Sequence, residues 1–175
     1  MRFLFMLGFL GLVGMYSSVT LLAAVAPAAT AVVYPLGETE VFGLVKMVQE
    51  EDGIHITGEI SGLTPGGYHG FHLHEFGDCS SPDGMGVGGH FNPEGHVHGG
   101  PTNAARHFGD FGNIQADEEG VARIDLRIEG AQGLEMVFGR GLIVHAGQDD
   151  EKSNPAGNAG PRIACGVVGI TNPGL

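Results

Sequence analysis

From residue 31 onward, no stretch of this chain sustains a helical apolar period over three turns, whereas short runs of strand character recur throughout. Ile54–Ile60 and Ala122–Ile128 alternate apolar and polar residues, so each offers one face to a core and the other to water. Further strand-like runs cover 31–36, 41–48, 70–74, 141–145 and 163–170. Between them stand turn-forming clusters such as Glu51-Asp52-Gly53, Pro65-Gly66-Gly67 and Asp117-Glu118-Glu119-Gly120. The chain holds 32 glycines, where average usage gives about 12. They follow no G-x-y period, which excludes collagen and leaves turns and shaped loops as their use. An all-β fold follows, an antiparallel sandwich or barrel. At 175 residues it makes one domain, large enough to bury a core without help from disulfides.

The formal net charge is −12, from 20 acidic and 8 basic residues. Such a surface repels phosphate backbones, so no nucleic-acid partner is expected. The N-terminus has the pattern of an export signal. Met1-Arg2 gives a minimal positive region, Phe3 to Met15 an apolar run, and Leu21 to Ala31 a tail of small residues. Residues 1–28 therefore read as a signal peptide and 29–175 as the mature domain, with cleavage near Ala24 or Ala28. The alternative is a retained anchor, since Phe3 to Ala26 is long enough to span a bilayer. In either case the domain lies outside the cell, and only a retained segment would give it a membrane contact. In that compartment the lone pair Cys79 and Cys165 is expected to be a disulfide. No N-x-S/T sequon is present, so N-glycosylation is not expected.

Two long, polar, Gly/Pro-rich segments, 75–110 and 147–162, interrupt the strand rhythm, and loops of that length are usually functional. The histidines cluster in and beside them. His72 and His74 end a strand two residues apart, so they project from one face and can grip one ion. His145, at the end of a later strand, is placed to complete that site. His98, His107 and Asp110 are spaced too irregularly for one strand or helix and suit a loop wrapped around zinc. Pure imidazole ligation suits copper, and His90 falls between the two sets, where one ring can serve both.

Several segments closely resemble the copper/zinc superoxide dismutases. They are Gly70-Phe71-His72-Leu73-His74-Glu75-Phe76-Gly77-Asp78, Gly89-His90-Phe91-Asn92-Pro93, His98-Gly99-Gly100-Pro101, Arg106-His107-Phe108-Gly109-Asp110, Val144-His145 and Gly157 to Gly166. The resemblance runs over residues 30–172, in order. It implies an eight-stranded antiparallel Greek-key sandwich or barrel with two long functional loops. It further implies a secreted antioxidant enzyme that converts superoxide to oxygen and hydrogen peroxide with one copper and one zinc. Copper ligands would be His72, His74, His90 and His145; zinc ligands would be His90, His98, His107 and Asp110. His90, as the bridge, and Arg162, beside the open copper position, would be the catalytic residues. Asp149 would orient His72 and His98, and Cys79–Cys165 would form the disulfide. A homodimer is also implied.

Other residues have plainer readings. His55 lies on the polar face of its strand and is expected to be solvated, and His69 resembles a structural histidine. His96 forms a second H-x-H pair with His98, and only the family pattern favours His98. Two departures from the family bear on the substrate channel. The segment before Arg162 is shortened, and Pro155-Ala156 stands where a lysine and a threonine are usual. Cys79 also falls several residues early. A non-catalytic metal-binding module is the rival reading; such modules lose copper ligands or the arginine, and both are kept here.

Overall fold

The computed structural model describes residues 28–131 and 133–173, so the segment read as a signal peptide lies almost wholly outside the described residues. Eight strands follow in order: β1 (Ala28–Pro35), β2 (Phe42–Glu50), β3 (Gly53–Ser61), β4 (Tyr68–His74), β5 (Asp110–Gln115), β6 (Ala122–Glu129), β7 (Gly141–His145) and β8 (Arg162–Ile170). They form one antiparallel sheet in the spatial order β5-β4-β7-β8-β1-β2-β3-β6. The end strands β5 and β6 lie against each other, which nearly closes the sheet into a barrel. The connection from β3 passes to the far half before β6 returns beside β3, as a Greek key requires.

The alternation read from sequence is the alternation of burial. Ala29, Ala31 and Val33 of β1, Val45 and Met47 of β2, and Ile54, Ile56 and Ile60 of β3 fill the barrel, while their neighbours face out. Strands β4 and β7 break this rule, because both of their faces are buried. Phe71, Leu73, Leu142 and Val144 enter the core. The intervening His72, His74 and His145 point outward, and the segments 75–109 and 146–161 cover them. The barrel wall thus has a buried polar layer outside and an apolar core inside, and the chemistry occupies the former.

Three sequence expectations need adjustment. The first strand begins at Ala28, whose carbonyl accepts from Thr171 N (3.0 Å) and which pairs with Val48. Strand β5 was not evident from sequence, since its Gly112 and Asn113 read as turn residues. His55 is not simply solvated. Its Nδ1 meets Glu50 Oε1 at 3.1 Å across the β2–β3 pairing, and its Nε2 meets Asp125 Oδ1 at 2.6 Å across the β3–β6 pairing.

Candidate metal centre

Six histidines and Asp110 form two groups that share His90: His72, His74, His90, His145 and His90, His98, His107, Asp110. In each group the potential ligand atoms lie within 4.8 Å of one another, and all seven residues are buried. Strand geometry makes the junction. Phe91 N donates to Leu73 O and Glu75 N donates to Gly89 O, which sets His90 against His74 as a bridge pair. On the same edge of β4, away from β7, Leu73 N donates to Gly109 O (3.0 Å) and His72 stands opposite Asp110 of β5, beside a register shift between Gly70 and His72. The loop's return is tight: a Cβ on Gly109 would meet Leu73 O at 2.1 Å, so only glycine lets that backbone pass.

Each imidazole has one nitrogen committed to the protein, and this decides which nitrogen is left. His74 Nδ1 donates to Gly88 O (3.1 Å) and His145 Nδ1 to Gly160 O (3.1 Å). His72 Nε2 donates to Asp149 Oδ2 (2.8 Å). His72 Nδ1, His74 Nε2, His90 Nε2 and His145 Nε2 are then buried without a hydrogen-bond partner. Burying so many polar atoms unpaired is costly, unless something with an empty orbital sits among them. Four neutral imidazole nitrogens suit copper.

In the second group, His90 Nδ1, His98 Nδ1 and His107 Nδ1 crowd Asp110 Oδ1 at 2.7, 3.0 and 3.1 Å. Asp110 Oδ2 is turned away, accepting from Gly99 N and His107 N, both at 3.0 Å. Three imidazoles around one carboxylate oxygen form the tetrahedral donor set that zinc takes. His98 is the inward member of the H-x-H pair; His96 turns outward, its Nδ1 donating to Arg106 O (3.1 Å).

Asp149 joins the two groups. Its Oδ2 takes His72 Nε2, and its Oδ1 takes His98 Nε2 (3.0 Å) and Glu151 N (2.6 Å). Asn113 fixes it in turn, with Asp149 N donating to Asn113 Oδ1 (2.8 Å) and Asn113 Nδ2 donating to Asp149 O (3.0 Å). His69 Nδ1 likewise donates to His145 O (2.9 Å), so this buried histidine holds a member of the first group in place while lying outside both groups. Such partners typically hold metal affinity up by about 10–100-fold. An Asp149→Asn protein is therefore expected to bind both metals about 10–100-fold more weakly, since the amide presents its single carbonyl oxygen to one ring at most. Competition titrations with chelators measure this, and a loss confined to one metal would contradict the shared role.

Arg162 lies half-buried beside the first group. Its Nη1 donates to Gly84 O (2.6 Å) and its Nη2 to Gly88 O (2.7 Å), the carbonyl that His74 also uses. Among the described residues it makes no ion pair, and its positive charge is among the causes that depress His74 and His145. Lys152 is exposed, with its backbone N–H on Asp150. The disulfide Cys79–Cys165 is formed, with Cα atoms 5.8 Å apart.

In the metal-free protein, burial first, and then neighbouring positive charge, lowers His72 to about 4, His145 to about 3 and His74 to about 2. For His98 burial opposes the charge, yet hydrogen bonds to Asp110 and Asp149 raise it to about 9. Hydrogen bonds from His90 and His98 hold Asp110, and those from His72 and His98 hold Asp149, below the usual carboxylate range, against the burial that would raise them. Below pH 6.5 the unfolded chain binds protons that the three depressed histidines refuse. Acidification from 6.5 towards 3 therefore destabilises the fold, by up to about 1.4 kcal/mol per pH unit for each histidine. The His98 contribution is full below 6.5 and is lost as pH rises through 9. The melting temperature of the metal-free protein is expected to peak near pH 6.5–7 and fall on both sides. A flat profile from pH 4 to 9 would contradict this.

Comparison with known proteins agrees with this chemistry. A family model described as copper/zinc superoxide dismutase matches residues 41–168. The chain is 44% identical over 146 residues to a superoxide dismutase [Cu-Zn] of Saccharomyces cerevisiae, covering 78% of this chain and 94% of that one. It is 44% identical over 140 residues to an extracellular superoxide dismutase [Cu-Zn] of Brugia pahangi, covering 74% of this chain and 69% of that one. A crystal structure of the clock protein EA4 superposes with a TM-score of 0.73 at 40% identity, covering 85% of this chain and 98% of that one.

Proposed function

This chain belongs to the copper/zinc superoxide dismutase family, and on that premise we propose that copper is held by His72, His74, His90 and His145, and zinc by His90, His98, His107 and Asp110. The chain is an oxidoreductase that converts two superoxide anions and two protons to oxygen and hydrogen peroxide. The observation that carries the division between metals is the set of four converging buried nitrogens without partners, beside a second set gathered on one carboxylate oxygen. Copper supplies a one-electron couple at its site, whereas zinc has none and acts through charge and structure.

The chain's own residues do the rest. Arg162 docks the anion: two of its nitrogens are occupied by carbonyls, so its charge is fixed in place rather than swinging in solvent. The acidic remainder of the surface makes this positive point the attractive one for an anion. In the stage when it does not hold copper, His90 would carry a proton at Nε2, which has no protein partner, and give it to the departing peroxide, while Asp110 stays beside its Nδ1. Asp149 and Asn113 hold the His72 and His98 rings still throughout.

We further infer an exported homodimer acting in antioxidant defence outside the cell. Support for export comes from the signal-like N-terminus, the disulfide and the extracellular relative. Since Ala28 is already part of β1, a cut near Ala24 leaves that strand whole, whereas a cut after Ala28 removes its first residue. Support for a dimer comes from the outer face of β8, β1 and β2, where Val32, Tyr34, Leu44 and Val167 are exposed side by side around the disulfide.

One preparation tests these readings together. The purified mature protein is expected to hold one copper and one zinc per chain, to consume superoxide, and to sediment with the mass of two chains. Zinc without copper uptake, and no activity after copper loading, would overturn the dismutase reading. The mass of one chain at micromolar concentration would overturn the dimer alone.

A further inference from the structure

We propose that Arg140 is a positioning residue for the metal centre, clamping the chain just past three ligands; the proposal rests on the metal assignment above. Arg140 precedes β7, and its backbone is fixed by Val168 N donating to its carbonyl (2.9 Å) and by its own N–H on Val137 O (3.2 Å). From there the side chain reaches away from its own strand. Its Nη1 donates to Glu75 O (2.6 Å), and its Nε donates to Met136 O (3.1 Å). Its guanidinium carbon stands 3.7 Å from the centre of the Phe91 ring. Phe91 in turn packs edge-on against Phe108, with centroids 5.5 Å apart.

The three residues reached in this way follow ligands directly. Glu75 follows His74, Phe91 follows His90, and Phe108 follows His107. The Glu75 carboxylate closes the arrangement by accepting from Gly89 N (3.1 Å), the residue before His90. Arg140 makes no ion pair among the described residues, so its charge is spent on a carbonyl fork and an aromatic face. That combination suits a planar guanidinium, which presents edge donors and a stacking face at once; an ammonium offers only a point charge. A loose Phe91 would let the His90 backbone shift against His74, and ligand sets tolerate only about half an ångström of such movement.

The test uses copper- and zinc-loaded wild-type protein, Arg140→Gln, Arg140→Lys and Phe91→Leu. Three readouts are taken: the copper(II) electron paramagnetic resonance spectrum, the rate of copper loss to a chelator, and the melting temperature of the metal-free form. Arg140→Gln is expected to change the spectrum and to release copper about 10–100-fold faster, the range for groups that orient ligands. Arg140→Lys is expected to be intermediate. If Arg140→Gln fails to fold, Phe91→Leu keeps all of the arginine's own hydrogen bonds and is still expected to alter the spectrum. Variants that melt earlier but keep the wild-type spectrum and release rate would overturn the proposal. A wild-type protein that takes up no copper would instead overturn the metal assignment itself.

Discussion

A protein with serine at both Cys79 and Cys165 is expected to lose about 4–5 kcal/mol of unfolding free energy, which is the chain entropy released when a loop of this length is no longer closed. The bridge spans 86 residues, from the first long loop to the last strand. Between its ends lie most of the metal ligands and strands β5 to β7. Cys165 is 2% exposed and packs with Leu36, Val87 and Ile143, so a serine hydroxyl there adds an unpaired buried polar group. Because domains are stable by only about 5–15 kcal/mol in total, the metal-free double variant should be marginal at body temperature. Urea unfolding of the metal-free protein, with and without the substitutions, measures the difference. A loss below about 1 kcal/mol would contradict the entropic account. The metal ligands themselves should stay aligned once loaded. Phe76 N donates to Val87 O (2.9 Å) and Glu75 N to Gly89 O (3.0 Å), closing the loop base independently of the cysteines. Arg162 also grips Gly84 and Gly88, downstream of Cys79.

His145→Ala should remove superoxide consumption by on the order of a thousandfold or more, equivalent to about 4 kcal/mol of transition-state stabilisation. His145 belongs to the copper set alone, and its ring is held by Gly160 O. Zinc binding should therefore survive, because His90, His98, His107 and Asp110 are untouched. Elemental analysis alongside the activity assay separates these effects, and loss of both metals would contradict the division of ligands. His96→Ala is the matched control. Its ring is turned out towards Arg106 O, so activity should remain within about twofold, as for surface changes generally.

The strands with one buried face were legible because period-two alternation reports a surface with a wet side and a dry side. Strands β4 and β7 were legible for other reasons: β4 interleaves apolar residues with histidines, and β7 is an unbroken apolar run that ends in His145. Strand β5 escaped notice. Asp110 gathers three histidines on one oxygen, Gly112 takes a positive φ of 84°, and Asn113 spends its amide on Asp149. Its sequence serves the site rather than the barrel, and no periodicity survives that. The two groups of histidines with Asp110 were readable from spacing and family resemblance, but the choice of nitrogen left over on each ring was not. It depends on carbonyls such as Gly88 and Gly160, which reach the rings only after folding. Arg140 was invisible for the same reason, since backbone carbonyls are its hydrogen-bond partners and sequence does not mark those. His55 differed because its partner Asp125 comes from the β3–β6 register, which a single strand's pattern does not specify.

The junction at Asp149 also bears on how copies of this gene can diverge. Its two oxygens each serve a different ring, and Gly157 is kept bare beside it: a Cβ there would fall 1.7 Å from Asp149 Oδ1. A glycine with no side chain to offer is thereby as tightly constrained as the residues of the two groups. A duplicate released from selection has many more ways to spoil both metals together, through Asp149, Asn113, Gly157 or His90, than a list of ligands suggests. Single-metal descendants are reached by narrower routes, such as changes at His107 or His145, which touch one metal each.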